Sequence, residues 1–183
     1  MAADNRRHIL LAAEELLQDH ASFLGGEVSL EEVAGRVGLP CREVKSYFPT
    51  RRSLSIGLIE HATRRWSELL TRVAGRGAEE LSAYDRYRIY VTATMTSEVS
   101  RVNYWIFSDA RNQPTLPSVW SEHLGPWLAT DGLGSRVRSY LSAARFCADG
   151  ALFAKATGMI PVDNLDAVRL HALRLIDEAE DVQ

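Results

Sequence analysis

Apolar residues recur along this chain with the period of a helix. Ile9, Ala12, Ala13, Leu16 and Leu17 keep the i, i+3, i+4, i+7, i+8 spacing of one helical face. Gly25, Gly26 and Glu27 end that first helix. Ser29-Leu30-Glu31-Glu32 then reads as a capping box, in which Ser29 caps the Glu32 amide and Glu32 reaches back. A short helix follows with Val33, Ala34 and Val37 inward, and Gly38 stops it. The next helix is predicted over 40–48, with Pro40 in its first turn, where a missing N–H does no harm. Pro49 cannot continue it, and Thr50 is placed to cap a long helix over 51–73. Leu54, Leu58, Ile59, Ala62, Trp66, Leu69 and Leu70 share one side of that helix.

About five more helices are predicted. One over 81–97 carries Tyr84, Tyr87, Val91 and Met95, and one over 99–110 carries Asn103, Tyr104, Trp105 and Phe107. Another, over 118–129, carries Trp120, Leu124 and Trp127. A long one over 136–157 holds Val137, Tyr140, Leu141, Ala144, Ala148, Ala151 and Leu152. The last starts at a cap on Asp163 and turns Leu165, Val168, Ala172, Leu173 and Ile176 inward. No strand-like alternation or internal repeat interrupts this, so the expected fold class is all-α with about nine helices.

Composition adds limits. The 183 residues are 46% hydrophobic and 25% charged, ordinary for a globular chain. No apolar run approaches the ~18 residues that cross a bilayer. The first twenty residues mix acidic groups into the apolar pattern, unlike a signal peptide. Two widely spaced cysteines, Cys41 and Cys147, do not make a disulfide framework, so a reduced, cytoplasmic protein is the expectation.

Net charge is −3, which taken alone argues against a nucleic-acid binder. Its distribution argues otherwise. Residues 36–65 hold seven basic groups (Arg36, Arg42, Lys45, Arg51, Arg52, Arg64, Arg65) against two acidic ones, Glu43 and Glu60. Residues 1–35 are acidic, with seven carboxylates against two arginines. A local basic patch is what phosphate binding requires.

Residues 30–47 fit a helix-turn-helix. Leu30, Val33, Val37, Leu39, Val44 and Tyr47 are apolar, Ala34 is small where the two helices would cross, and Gly38 tolerates the positive φ of the turn. With Val44 and Tyr47 or Phe48 buried, Cys41, Arg42, Lys45 and Ser46 face out, with Glu43 on the flank. Residues so placed can enter a major groove.

Here the chain resembles the TetR family of transcriptional regulators. The resemblance is carried by "RRHILLAAEELL", "SLEEVAGRVGLP" and "YFPTRRSL", and more weakly by "ARFCADGALFAK" and the final amphipathic helix. It implies a DNA-binding domain over 1–50 and a ligand-binding and dimerisation domain over 51–183. It departs from the family's usual residues: Pro40 stands for Ser or Thr, Lys45 for Tyr, Tyr47 for His, Arg51 for Lys, and Arg42-Glu43 for a small pair. The operator sequence therefore cannot be borrowed. Arg42 is the candidate for a guanine contact, and Glu43 either orients it or accepts from a cytosine amine. Ser29, Lys45, Tyr47, Thr50 and Arg51 are phosphate candidates, while Cys41 and Ser46 complete the reading face.

The resemblance further implies a double-stranded operator, a homodimer formed through the last two helices, and a small-molecule effector inside the C-terminal helices, with no cofactor, metal or membrane. The density of aromatics over 84–146 fits a pocket. Tyr87, Tyr104, Trp105, Trp120, His123, Trp127 and Phe146 are the candidate ligand residues, with Asn103 and Arg145 as further polar groups. Two readings compete with a regulator. An enzyme finds no Gly-rich phosphate loop, nucleophile elbow or metal-ligand cluster, and the five histidines are scattered. A helical ligand-binding or protein-interaction module that has lost DNA binding fits the acidic first helix.

Overall fold

The structure, a computed structural model of the chain, describes residues 2–19, 28–98, 116–158 and 163–182. Nine α-helices and one 3₁₀ turn make up the regular elements of these residues. They are α1 (Ala2–Asp19), α2 (Leu30–Val37), α3 (Cys41–Tyr47) and α4 (Arg51–Ala74), then the 3₁₀ turn Ala78–Glu80. After it come α5 (Ala83–Thr96), α6 (Leu116–His123), α7 (Gly125–Leu128), α8 (Ser135–Thr157) and α9 (Leu165–Asp181). The fold is all-α. The predicted break at Gly25–Glu27 and the helix predicted over 99–110 lie outside the described residues.

The chain divides into two units, and the dividing points fall inside α4, after Thr63, and inside α6, after Val119. In the first unit, Ile9, Leu10, Ala13 and Leu16 of α1 meet Leu30, Val33 and Ala34 of α2. Val44, Phe48 and the first half of α4, with Leu54, Leu58, Ile59 and Ala62, complete this core. Phe48 follows the last residue of α3 and is 2% exposed. Its ring lies under the Arg6 guanidinium, 5.2 Å from the centroid, and Arg6 also pairs with Glu60 of α4 at 3.1 Å.

Gly57 explains how α4 comes so near this ring. A Cβ placed there would stand 2.6 Å from Phe48 Cε1 and 3.2 Å from Leu10 Cδ2. Both neighbours are buried, so neither can give way cheaply. Glycine in a helix interior costs up to ~1 kcal/mol against alanine, and close approach is what that cost secures. Gly57→Ala is therefore expected to destabilise the protein by roughly 1–3 kcal/mol, despite the better helix propensity. Urea denaturation checks this, and a gain in stability would show that the ring has room to move.

The second unit is built on α5, α8 and α9. Tyr84, Tyr87, Tyr90, Val91 and Met95 of α5 pack with Val137, Leu141, Ala144, Ala148 and Ala151 of α8 and with Ala172, Ile176 and Ala179 of α9. The seam between α8 and α9 is thus lined largely by alanine, and small side chains let helix axes approach. Arg88 of α5 ties down α9 by donating to Asp177 at 2.8 Å and to Glu180 at 2.5 Å. Lys155 of α8 donates to the Met95 and Ser97 carbonyls at 3.3 and 2.6 Å, satisfying the end of α5.

Several boundaries differ from those predicted. Pro40 is the N-cap of α3 and not a residue of its first turn; its carbonyl accepts from the Glu43 and Val44 N–H groups. The helix predicted over 118–129 is broken after His123, because Gly125 and Pro126 restart it as the short α7. α9 is capped by Asn164 in the left-handed region at φ 56°, and no side chain of Asp163 caps it. Val168, expected inward, is 40% exposed on α9, and Leu170 is 55% exposed.

Candidate nucleic-acid interface

The α2–α3 motif is assembled by local chemistry. Ser29 Oγ accepts from the Glu32 N–H at 3.1 Å, and Glu32 Oε2 accepts from the Ser29 N–H at 2.8 Å, the reciprocal cap read from sequence. At the other end Gly38 takes φ 73°, a conformation L side chains rarely adopt. Its N–H and that of Leu39 both bond back to the Ala34 carbonyl, closing a Schellman-type turn. α3 leaves this turn with Val44 fully buried against α1 and α2. Tyr47 is only partly buried, and Phe48 is the aromatic that anchors the end of α3.

With Val44 and Phe48 held, Arg42, Lys45 and Ser46 are exposed and Cys41, Glu43 and Tyr47 half-buried. Of the residues named for the reading face, α3 exposes Arg42, Lys45 and Ser46, and leaves Cys41 and Glu43 only partly accessible. Thr50 caps α4, accepting from the Ser53 N–H at 3.1 Å while its own N–H donates to Ser53 Oγ at 3.0 Å. Arg51 opens α4 and is exposed, where a helix N-terminus favours an anion.

Hydrogen bonding divides these candidates in a way the sequence did not show. Ser29 Oγ donates to Glu32 Oε2 at 2.6 Å, and Ser46 Oγ donates to the Glu43 carbonyl at 2.6 Å. A hydroxyl has one proton, so in this arrangement neither serine donates to a phosphate. Lys45 Nζ donates to Glu31 Oε1 at 2.9 Å, and the Cys41 thiol donates to the same oxygen at 3.5 Å. The Lys45 hydrogen bond is the main cause that holds the Glu31 carboxyl below its ordinary range, and it raises Lys45 in return. Arg36 is raised first by its hydrogen bond to Asp19, at 2.7 Å, and also meets Glu15 at 3.4 Å. Glu43 accepts from Asn5 at 3.4 Å. Arg42 is exposed and makes no ion pair or hydrogen bond among the described residues. Sequence reasoning missed Glu31 as a partner of α3, having used that segment only for its cap; a carboxylate in the first turn of α2 was the available signal.

In the second unit, Tyr87 and Trp127 are core residues with their polar ends engaged. Tyr87 donates to the Leu128 carbonyl at 3.1 Å, and the Trp127 indole donates to Ser67 Oγ at 3.3 Å. Burial pushes the Tyr87 hydroxyl up. Trp120 is half-buried against this core. His123 lines an open groove of about 410 Å³ with Arg64, Ser67, Glu68, Thr71 and Arg72. Of the other candidate ligand residues, Phe146 is 69% exposed and does not line that groove, and Tyr104 and Trp105, like Asn103, lie outside the described residues. Arg145 instead pairs with Asp149 at 3.2 Å, and Asp149 accepts from Tyr90 at 2.6 Å. No described helix is long and apolar enough to cross a membrane.

No protein-family model and no curated protein sequence matches the chain. Among solved structures it is similar to a candidate TetR-family transcriptional regulator from Mesorhizobium loti. The TM-score is 0.64 at 16% sequence identity, over 100% of this chain and 98% of that one. The described residues therefore share a TetR-like, all-α fold.

Proposed function

We propose that this chain is a DNA-binding transcriptional regulator that places α3 in the major groove of a palindromic operator and is released by a small-molecule ligand. The observation that carries this reading is α3 itself: anchored from beneath by Val44 and Phe48, set by the Gly38 turn, and offering an unengaged Arg42 outward. Arginine matches guanine O6 and N7 with two parallel hydrogen bonds. In this reading the first unit holds DNA, with the Arg51 end of α4 meeting a phosphate, and the second unit holds the effector.

A homodimer supplies the second reading helix, and two copies ~34–36 Å apart span successive major grooves. The exposed apolar residues Phe146 of α8 and Val168 and Leu170 of α9 support pairing through those helices. The effector acts by favouring a dimer whose half-site spacing no longer fits, a population shift between two arrangements. Repression is the sign of control we assign.

A second reading, a helical binding module that no longer binds DNA, is favoured by one observation: Lys45 and Arg36 are already paired with carboxylates of the same chain. Selection from a random duplex pool at low salt, followed by anisotropy titration of the enriched site, separates the two. Enrichment of an inverted repeat supports the regulator. A folded dimer that enriches nothing leaves the binding module.

A further inference from the structure

We infer that Glu31 is an internal substitute for a DNA phosphate: its carboxylate occupies Lys45 until a duplex displaces it, and so limits how tightly α3 holds DNA of any sequence. The inference rests on the DNA-binding reading above and deepens it by assigning a residue that sets affinity for DNA of any sequence.

The geometry is specific. Glu31 stands in the first turn of α2, the helix behind α3. Cys41 and Lys45 are one helical turn apart on α3, and Glu31 Oε1 accepts from both, at 3.5 and 2.9 Å. The pair is not sequestered: the side chains of Lys45 and Glu31 are 49% and 65% exposed, so an arriving phosphate can reach the ammonium. An exposed ion pair of this kind is weak, and exchange of its carboxylate for a phosphate is cheap.

The local charge balance makes this one pair matter. Residues 30–47 hold three cations, Arg36, Arg42 and Lys45, and three carboxylates, Glu31, Glu32 and Glu43. Arg36 is turned back to Asp19 and Glu15 of α1. With Lys45 on Glu31, Arg42 is left as the cation of this motif that is not held by a carboxylate. A lysine that meets a phosphate from a free state releases the counterions condensed there and gains affinity that falls with salt. A lysine that must first leave a carboxylate releases the same counterions but gives up its ion pair, so its net gain is smaller. The arrangement therefore withholds sequence-independent affinity and leaves Arg42, which can read a base, with more of the total.

The test is a double-mutant cycle on the full chain. Glu31→Gln, Lys45→Met and the double variant are titrated against one fixed non-cognate duplex and one selected site, between about 50 and 200 mM salt. Circular dichroism melting confirms that each variant is folded. Glu31→Gln is expected to tighten both complexes about two- to fivefold near 100 mM salt with little change in the salt slope, since Lys45 meets its phosphate in either case. In the Lys45→Met background the same change is expected to alter affinity less than twofold. Glu31→Asp, which keeps the charge but shortens its reach, is expected to gain affinity in the Lys45 background. A gain from Glu31→Gln that persists undiminished without Lys45 overturns the inference, since Glu31 would then act only as a repelling charge. Weaker binding by Glu31→Gln overturns it too, since Glu31 would then be presenting Lys45 to DNA. If the wild-type chain and every variant fail to hold either duplex at the lowest salt, the DNA-binding reading falls and this inference with it.

Discussion

Phe48→Ala is expected to cost about 3–5 kcal/mol, the range for removing a buried aromatic from a packed core. The ring is 2% exposed and sits between α1 and α4. It fills the notch left by Gly57 of α4, packs near Leu10 of α1, and carries the Arg6 guanidinium on its face. Leu54 and Leu58 of α4 share the same buried core, so a truncated side chain leaves a cavity among packed neighbours. The cation–π contact is lost with it, which adds roughly 0.5–1 kcal/mol at a partly exposed site. Urea denaturation followed by circular dichroism measures the loss. A change below about 1 kcal/mol would mean that the site collapses freely and that Val44 alone holds α3. Phe48→Leu, which refills part of the volume, should recover part of the loss.

Arg42→Ala is expected to weaken binding to a selected site by about 1–3 kcal/mol, roughly 5- to 150-fold, with a smaller change on random DNA. The expectation follows from exposure and from freedom: Arg42 stands on the outer face of α3 with no partner to leave among the described residues. Arg42→Lys sharpens the measurement. Lysine keeps the charge but lacks the planar fork that meets O6 and N7 together. If Arg42 reads a base, lysine should behave nearly as alanine does on the selected site. If lysine restores full affinity, Arg42 meets a phosphate and the base is read elsewhere on α3. Both variants should keep the wild-type melting temperature.

The two variants probe features that differed in how far they could be read from residues alone. The cap at Ser29 and Glu32, the turn at Gly38 and the plug at Val44 are local, and spacing within a dozen residues suffices to place them. The anchor at Phe48 was ambiguous with Tyr47, because adjacent aromatics at a helix end satisfy the same period. Gly57 could not be understood from spacing, since its neighbours Phe48 and Leu10 come from other elements. Glu31 escaped for the same reason: its partner is fourteen positions away across a turn. In the second unit the period continued through Trp120, Leu124 and Trp127 and concealed the break that Pro126 imposes. The aromatics there looked alike in sequence. Tyr87 and Trp127 are core residues whose polar ends meet the Leu128 carbonyl and Ser67, whereas Phe146 stands in solvent, and periodicity does not distinguish an aromatic that packs from one that meets a ligand.

The alanine seam of α8 and α9 has a consequence for anyone who would retune this protein by mutation and selection. Ala144, Ala148, Ala172 and Ala179 are each 0% exposed. Nearly every codon change at these positions adds volume where none is free, at about 1–3 kcal/mol apiece, and glycine, the smaller choice, gives up helix propensity. A randomised library that includes them will consist mostly of unfolded members, and its apparent loss-of-response hits will report stability. Diversity is better placed along the groove of Arg64, Thr71, Arg72 and His123, where side chains can change size without parting two helices.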